Sequence, residues 1–115
     1  TNGWRPSSPH SETAQVQHYT RRMVTIVTES ALERTLVAEL EALGVRGFTI
    51  TDARGKGSRG LRQSDWAQEG NIRVEVICDP AVADRIAARV REKFYDHYAM
   101  ILFMQDVSVL RSDKF

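Results

Sequence analysis

The feature that most constrains this chain is a polar stretch, residues 52–71, because regular apolar patterns lie on both sides of it. Three of the seven glycines lie within six residues there: Gly55, Gly57 and Gly60. The basic residues between them and just beyond are Arg54, Lys56, Arg59 and Arg62. Glycine lets the backbone approach a ligand, consecutive backbone N–H groups can surround an anion, and arginine pairs with phosphate or carboxylate oxygens. The stretch predicts an anion-binding loop, with a solvated basic surface loop as the alternative.

Before this stretch, the sequence has the patterns of a strand, a helix and a second strand. Residues 23–28 are rich in β-branched side chains, and Ser30 and Glu33 have the spacing of a capping box at a helix start. The apolar face of this helix would comprise Leu32, Leu36, Val37, Leu40 and Leu43. Gly44 would end the helix, and residues 47–51 would form the second strand.

After the stretch, a strand, a helix and a last strand are predicted. Apolar and polar residues alternate from Ile72 to Cys78, which indicates a half-buried strand with the cysteine on its apolar side. Asp79 and Pro80 are typical of an N-cap and the first residue of a helix. This helix would bury Val82, Ile86, Ala87, Val90 and Phe94. Residues 98–110 predict a long last strand, apolar on both faces over residues 99–104.

The order of these elements predicts an α+β fold, the ferredoxin-like split βαβ antiparallel sheet with two helices on one face and a long loop between strands two and three. An extended N-terminal segment, residues 1–21, would precede a folded domain, residues 22–115. In this topology the last strand lies at a sheet edge. A strand that exposes apolar side chains there invites association, so we expect a homo-oligomer.

Composition and charge argue against several classes of protein. The 115 residues carry a net charge of +1 and a single cysteine, Cys78. One cysteine excludes an internal disulfide and a cysteine-cluster metal site. The near-neutral net charge gives no general reason to expect nucleic-acid binding. No apolar run approaches the roughly 18 residues that a membrane span needs, so we expect a cytoplasmic protein without direct membrane insertion.

Familiar motifs of nucleotide and RNA binding also fail on closer inspection. The loop glycines match the GxGxxG spacing of dinucleotide-binding proteins, but the match is accidental because the segment leads into a strand instead of a helix. Residues 23–28 and 71–78 contain no aromatic residue on which RNA bases would stack. No histidine lies in the loop, and Asp65 and Glu69 have no evident partner. We therefore expect no enzymatic activity, no catalytic residue and no metal ligand.

A family resemblance follows from the fold order and a few motifs. The motifs are Gly55-Lys56-Gly57-Ser58-Arg59 followed by Arg62, the strand start Asn71-Ile72-Arg73-Val74-Glu75, and the turn Tyr98-Ala99. Together they resemble the PII-like signalling proteins of bacterial inorganic-carbon uptake, and most of all their carboxysome-associated, bicarbonate-responsive branch. The resemblance covers residues 22–110. Members of this family are homotrimers that bind adenine nucleotides between subunits, where the long loop, called the T-loop, closes over the phosphates.

The resemblance implies a nucleotide site with a bicarbonate site beside it. ADP or AMP would bind, with cyclic AMP as a further candidate. The phosphates would contact Lys56, Arg59 and Arg62 and the donors of Gly55 to Ser58. Bicarbonate would lie near Gly57, Ser58 and Arg59. The adenine would lie near Thr49 and Thr51 and against the start of a neighbouring subunit's last strand, which contains Tyr98 and Met100.

The implied function is that of a regulatory signal protein without a tightly bound cofactor. It would link carbon and energy status to inorganic-carbon uptake or carboxysome function. Its partner would be a bicarbonate transporter or another carbon-concentrating protein, contacted through the T-loop and able to recruit it to the membrane. Two alternatives remain open. One is a regulatory module of the amino-acid-binding type, with its site at residues 28–30, and the other is a slow nucleotide phosphohydrolase that uses Asp65 or Glu69.

Overall fold

The structure is a computed structural model, and it describes residues 15–55 and 70–113. The elements are β1 (Tyr19–Glu29), a 3-10 turn (Ser30–Leu32), α1 (Glu33–Ala42), β2 (Thr49–Ala53), β3 (Asn71–Cys78), α2 (Pro80–Lys93) and β4 (Ile101–Val109). The strands form one antiparallel sheet in the order β2-β3-β1-β4. This is the ferredoxin-like arrangement, so the predicted fold is confirmed.

The two helices cover one face of the sheet, which we call the inner face. Its buried strand residues are Val24, Ile26, Ile72, Val74, Val76 and Cys78. From the helices, Leu36, Leu40, Ala83, Ile86, Val90 and Phe94 pack against them. Ala83 was missed by the sequence pattern, which named Ala87 instead, a residue that is only partly buried. Because side chains alternate along a strand, the odd-numbered residues point to the opposite, outer face, which no helix among the described residues covers.

Strand β4 lies at the edge of the sheet, as predicted. Leu102 and Met104 pack against the core, whereas Ile101 and Phe103 project from the outer face with 56% and 40% of their surface exposed. The strand therefore carries apolar residues on both faces, which is the observation that motivated an oligomer.

The predicted capping box at the first helix is wrong. Ser30 lies in the 3-10 turn, α1 begins at Glu33, and no side chain caps either element. The reason is tertiary: the backbone N–H of Ser30 donates to the Gly70 carbonyl at 3.0 Å, so the serine joins the helix start to the base of the loop. At α2, Asp79 and Pro80 take the predicted positions, but the Asp79 carboxylate pairs with Arg21 at 3.3 Å instead of capping the helix.

Strand β1 is longer than the sequence pattern indicated, and β2 keeps its expected length but lies two residues later than residues 47–51. Strand β1 begins at Tyr19 because its first residues pair with the end of β4, so the regular fold starts three residues before the expected boundary at residue 22. Strand β2 continues to Ala53, two residues into the stretch that we assigned to the loop. The T-loop assignment otherwise falls mainly on residues 56–69, which lie outside the described part of the chain.

Candidate functional site

The site residues predicted from sequence divide into two groups. Those expected to bind phosphate and bicarbonate, Lys56, Gly57, Ser58, Arg59 and Arg62, lie outside the described residues. The others are Gly55, Thr49, Thr51, Tyr98 and Met100, and all of these are described. Gly55 is exposed just beyond the end of β2, and a Cβ added there would meet no atom of the described residues within 4 Å.

The described site residues lie at opposite edges of one sheet. Thr51 pairs with Arg73 on β3, Arg73 pairs with Val27 on β1, and Val27 pairs with Ile101 on β4. Because neighbouring strands are about 4.8 Å apart, three strand spacings separate Thr51 from Ile101 by about 14 Å. One nucleotide base cannot contact both edges of the same subunit. The β2 residues Thr49 and Thr51 and the β4-edge residue Tyr98 therefore belong to one site only if the β4 edge comes from another copy of the chain.

A groove lies on the outer face beside β2. Its volume is about 540 Å³, which is within the range of small-molecule sites. It is lined by Met23, Arg46, Gly47, Phe48, Thr49, Glu75, Ile77 and Asp113. Of the residues predicted from sequence, Thr49 is the one that lines this groove. The structure thus places a predicted nucleotide residue in a cavity of suitable size.

The chemistry of the groove is mixed. Met23, Phe48 and Ile77 give it apolar walls, while Thr49 and Glu75 bring a hydroxyl and a carboxylate. Arg73 Nε donates to Glu75 Oε2 at 3.0 Å, and the second carboxylate oxygen accepts from no donor within residues 15–55 and 70–113. At one side, an Arg46 N–H donates to the Asp113 carbonyl at 3.4 Å. Such a groove suits a flat, largely apolar ring that carries a hydrogen-bond donor at its edge.

Beyond the groove, the centre of the outer face is closed by a small cluster. Thr25 lies between Glu75 and Phe103 in the strand register and is fully buried. The Arg73 guanidinium stands 6.0 Å from the centre of the Phe103 ring. The Thr25 hydroxyl has no hydrogen-bond partner among the described residues. The outer face therefore contains a buried hydroxyl group without a hydrogen-bond partner among the described residues, a costly arrangement for a single chain.

At the other edge, hydrogen bonds fix the start of β4. The Leu102 backbone N–H donates to the Tyr95 hydroxyl at 2.8 Å, and the Thr28 hydroxyl donates to the Ala99 carbonyl at 3.4 Å. Met100 is only 8% exposed and belongs to the core, whereas Tyr98 is 38% exposed. Of the two residues predicted at this edge, Tyr98 is the one that presents a side chain to solvent.

The junction proposed for an amino-acid-binding module is closed. Thr28 is buried and hydrogen-bonded to Ala99, and the Ser30 backbone N–H is bonded to Gly70. Both polar groups serve to hold neighbouring segments in place, so this junction offers a ligand little. The phosphohydrolase alternative rested on Asp65 and Glu69, which lie outside the described residues.

Among residues 15–55 and 70–113, two titratable groups have shifted pKa values, and neither lines the groove. Burial raises the pKa of the Cys78 thiol, and the Asp79 carboxylate raises it further, so this cysteine behaves as a packing residue. Hydrogen bonds from Lys93 and Arg89 lower the pKa of Glu39, which joins the two helices. Within residues 15–55 and 70–113, no cluster of three or more potential ligands could hold a metal ion, and no helix is long and apolar enough to cross a membrane.

Sequence reasoning missed most of the groove. Met23, Phe48, Glu75 and Ile77 were assigned to strands or left without a role, although they come together at one place on the outer face. A signal did exist, since odd-numbered strand residues share a face once the strand order is known. Residue Asp113 could not have been found in this way, because it follows the last strand.

Comparisons with known proteins agree with this architecture. The sequence model of the nitrogen regulatory protein P-II family matches residues 21–114. A PII-like signaling protein from Thermus thermophilus is 46% identical, with a TM-score of 0.74 over 87% of this chain and 99% of that one. CPII from Thiomonas intermedia, in a structure bound to ADP and bicarbonate, is 21% identical, with a TM-score of 0.74 over 84% of this chain and 95% of that one.

A more distant likeness is to B. subtilis GlnK in its ATP complex, at 19% identity and a TM-score of 0.57 over 76% of this chain and 83% of that one. The family match covers both helices and the sheet except for the first two residues of β1, and the Thermus protein has the same fold at 46% identity. The chain therefore belongs to the nitrogen regulatory protein P-II family.

Proposed function

We propose that this protein is a non-enzymatic sensor that binds an adenine nucleotide and bicarbonate. ADP or AMP is the expected nucleotide, and cyclic AMP is a further candidate. The observation that carries the proposal is the groove on the outer face, because a predicted nucleotide residue, Thr49, lines it together with apolar walls and a carboxylate. Membership of a family of regulatory proteins agrees with a sensor.

The adenine would occupy the groove. Its flat faces would contact Met23, Phe48 and Ile77, and burial of this apolar surface would supply most of the binding free energy. The exocyclic amino group of adenine is a donor, and the Glu75 carboxylate and the Thr49 hydroxyl are acceptors in the same groove.

The phosphates would point along β2 toward the T-loop. From Thr49 to Gly55 the chain advances six residues, or about 20 Å if fully extended, so loop donors lie within reach of a nucleotide that starts in the groove. Gly55 is exposed at that end. Lys56, Arg59 and Arg62 would hold the phosphates, and bicarbonate would lie near Gly57, Ser58 and Arg59, as the sequence motif implies.

A neighbouring subunit would complete the site. Tyr98, which precedes β4, lies across the sheet from Thr49 and Thr51 on β2. A single site that contains all three residues therefore requires the β4 edge of one copy to meet the β2 edge of the next. This is a head-to-tail contact, which generates a closed ring when the rotation permits. We propose a homotrimer, as the resemblance implies, with the exposed Ile101 and Phe103 buried between copies.

The ligands of related structures support this choice. CPII was solved with ADP and bicarbonate, and also with ADP, AMP and acetate. These ligands are an adenine nucleotide together with a small carboxylate-like anion. The same pair fits a groove for a base beside a loop rich in arginine and glycine.

Ligand binding would act through the T-loop. Ordering a loop costs about 1–2 kcal/mol per residue, so its ordered form depends on bound phosphate and bicarbonate. A partner that recognises one form of the T-loop would then respond to carbon and energy status. We propose a protein of inorganic-carbon uptake, such as a bicarbonate transporter, or a carboxysome component, with recruitment to the membrane in the transporter case.

Isothermal titration calorimetry tests this function. ADP, AMP and cyclic AMP are titrated into the full-length protein with and without bicarbonate, at constant pH and ionic strength. We expect micromolar binding of at least one nucleotide, tightened by bicarbonate. Absence of nucleotide binding in both conditions would refute the proposal, and binding that ignores bicarbonate would remove the carbon-sensing part.

A further inference from the structure

Arg73 on β3 links the wall of the groove to the β4 side of the outer face. Its Nε donates to Glu75 Oε2 at 3.0 Å, and Glu75 lines the groove. Its guanidinium carbon lies 6.0 Å from the centre of the Phe103 ring on β4, within the range of a cation–π contact. Because β1 lies between β3 and β4, the Arg73 side chain must cross β1 to make this second contact. An aromatic ring thus holds the arginine, and the arginine holds a carboxylate.

The contact with Arg73 engages one of the two carboxylate oxygens of Glu75. Oε1 accepts from no donor that the structure describes, and the Glu75 side chain is 34% exposed. We have proposed that this carboxylate accepts a hydrogen bond from the amino group of adenine. That role requires the carboxylate to lie at the groove with one oxygen available, and an anchor on the other oxygen meets the requirement.

A competing donor lies directly opposite Glu75 in the sheet. Thr25 on β1 is the register partner of Glu75, and both side chains point to the outer face. Thr25 is fully buried, and its hydroxyl has no partner among the described residues. Opposite residues have Cβ atoms about 4.5–5.5 Å apart, so a change of rotamer would let the Glu75 carboxylate accept from this hydroxyl. Such a bond is favourable because it satisfies a buried polar group.

We propose that Arg73 is a positioning residue, which holds the Glu75 carboxylate at the groove against the attraction of the Thr25 hydroxyl. This inference rests on the proposed function and names a residue that sets its choice of base. Arg73 acts through Glu75 and not by touching the base. Any attraction of its charge for the phosphates would be equal for all nucleoside diphosphates. The orientation of Glu75 affects the base alone, so the ratio of two affinities isolates it.

Calorimetry with ADP and inosine diphosphate, which has a carbonyl oxygen in place of the amino group, measures that ratio on the full-length protein. The original protein should favour ADP by about tenfold, as expected for a hydrogen bond to a charged group. In Arg73→Met, which keeps an unbranched side chain but loses the donors, the preference should fall to about twofold or less, because Glu75 turns to Thr25. An unreduced preference in Arg73→Met overturns the inference.

A second variant removes the competing hydroxyl. Thr25→Val preserves the shape of the buried side chain, so in Arg73→Met/Thr25→Val no hydroxyl draws Glu75 from the groove. The preference for ADP should then rise at least about threefold above that of Arg73→Met. Arg22→Met is the matched control, because it removes an arginine that pairs with Asp84 and Asp106, and it should keep the original preference. No recovery in the double variant, with circular dichroism confirming that it folds, overturns the inference.

The original protein separates this inference from the function on which it rests. If it binds ADP and inosine diphosphate equally, the role of Arg73 is overturned and the proposed function stands. If it binds no ADP at all, the proposed function fails and the role of Arg73 fails with it.

Discussion

The inner and outer faces of the sheet differ in how completely a single chain buries their apolar side chains and pairs their polar groups. On the inner face, two helices bury the strand residues at its centre, and Val24, Ile26 and Val74 are fully buried. On the outer face, Phe103 and Ile101 are exposed, the hydroxyl of Thr25 lacks a partner among the described residues, and a groove lies open. The inner face accounts for the fold, while the outer face requires something more than this chain.

This difference separates residues that stabilise from residues that bind. A group that a single chain leaves unsatisfied is a cost to folding, and it persists where a ligand or another subunit completes it. The groove, the exposed apolar residues of β4 and the buried threonine all lie on the outer face. Changes on the two faces should therefore have different consequences.

The largest effect should come from the inner face. Ile26→Ala removes a fully buried side chain and should lower the free energy of unfolding by about 2–5 kcal/mol, because a cavity remains. Val27→Ala, one residue along on the outer face, should cost about 1 kcal/mol or less. Urea unfolding at the lowest workable protein concentration measures both. Equal losses would contradict the difference between the faces.

Association should depend on the outer face. Phe103→Asp places a charge where we propose a neighbouring subunit, so the dissociation constant of the oligomer should rise at least about tenfold while the single-chain fold persists. Light scattering over a dilution series gives the mass. Ser108→Asp, on the same strand but exposed toward the other side, is the matched control. An unaltered mass for Phe103→Asp, or a monomeric original protein, would remove the subunit interface from this face.

Base recognition in the groove is the next effect in size. Inosine diphosphate carries an oxygen acceptor where ADP carries an amino donor, so the Glu75 carboxylate should favour ADP by about tenfold, as expected for a hydrogen bond to a charged group. In Glu75→Gln this preference should shrink, because an amide side chain both donates and accepts. Calorimetry with both nucleotides measures the ratio of their affinities, and Glu92→Gln, at an exposed position of α2, serves as the control. An unchanged ratio would exclude Glu75 from contact with the base.

The inner face could be predicted from sequence far better than the outer face. Alternation from Ile72 to Cys78 and the helical spacing around Leu36 identify core residues because each pattern is local. The groove depends on Met23, Ile77 and Asp113, which meet only after the strands have paired. Sequence patterns carry no record of such long-range contacts.

The error at Ser30 has the same origin. Its spacing with Glu33 is that of a capping box, but the Gly70 carbonyl on the far side of the loop accepts its N–H instead. A local pattern gave way to a tertiary hydrogen bond. The loop motif, in contrast, was recognisable from sequence. The separation of the predicted site residues between the β2 and β4 edges became visible only from the strand order.

The smallest effect should come from the polar contact that joins the helices over the inner face. Glu39 on α1 accepts from Arg89 at 2.7 Å and from Lys93 at 3.0 Å, both on α2. Hydrogen bonds from Lys93 and then Arg89 lower the pKa of Glu39 below its usual 4.5, so the folded protein binds this proton less readily than the unfolded chain does.

The sign of the pH dependence follows from that shift. Above pH 4.5 the carboxylate is charged in both states and its contribution to stability is complete; as the pH falls through the lower folded pKa, the contribution is lost. Glu39→Gln should therefore lower the urea midpoint at neutral pH, and its difference from the original protein should shrink in acid. Glu41→Gln, exposed on the same helix, should show no such trend. A difference for Glu39→Gln that stays constant with pH would mean that the contact between the helices depends on packing and not on charge.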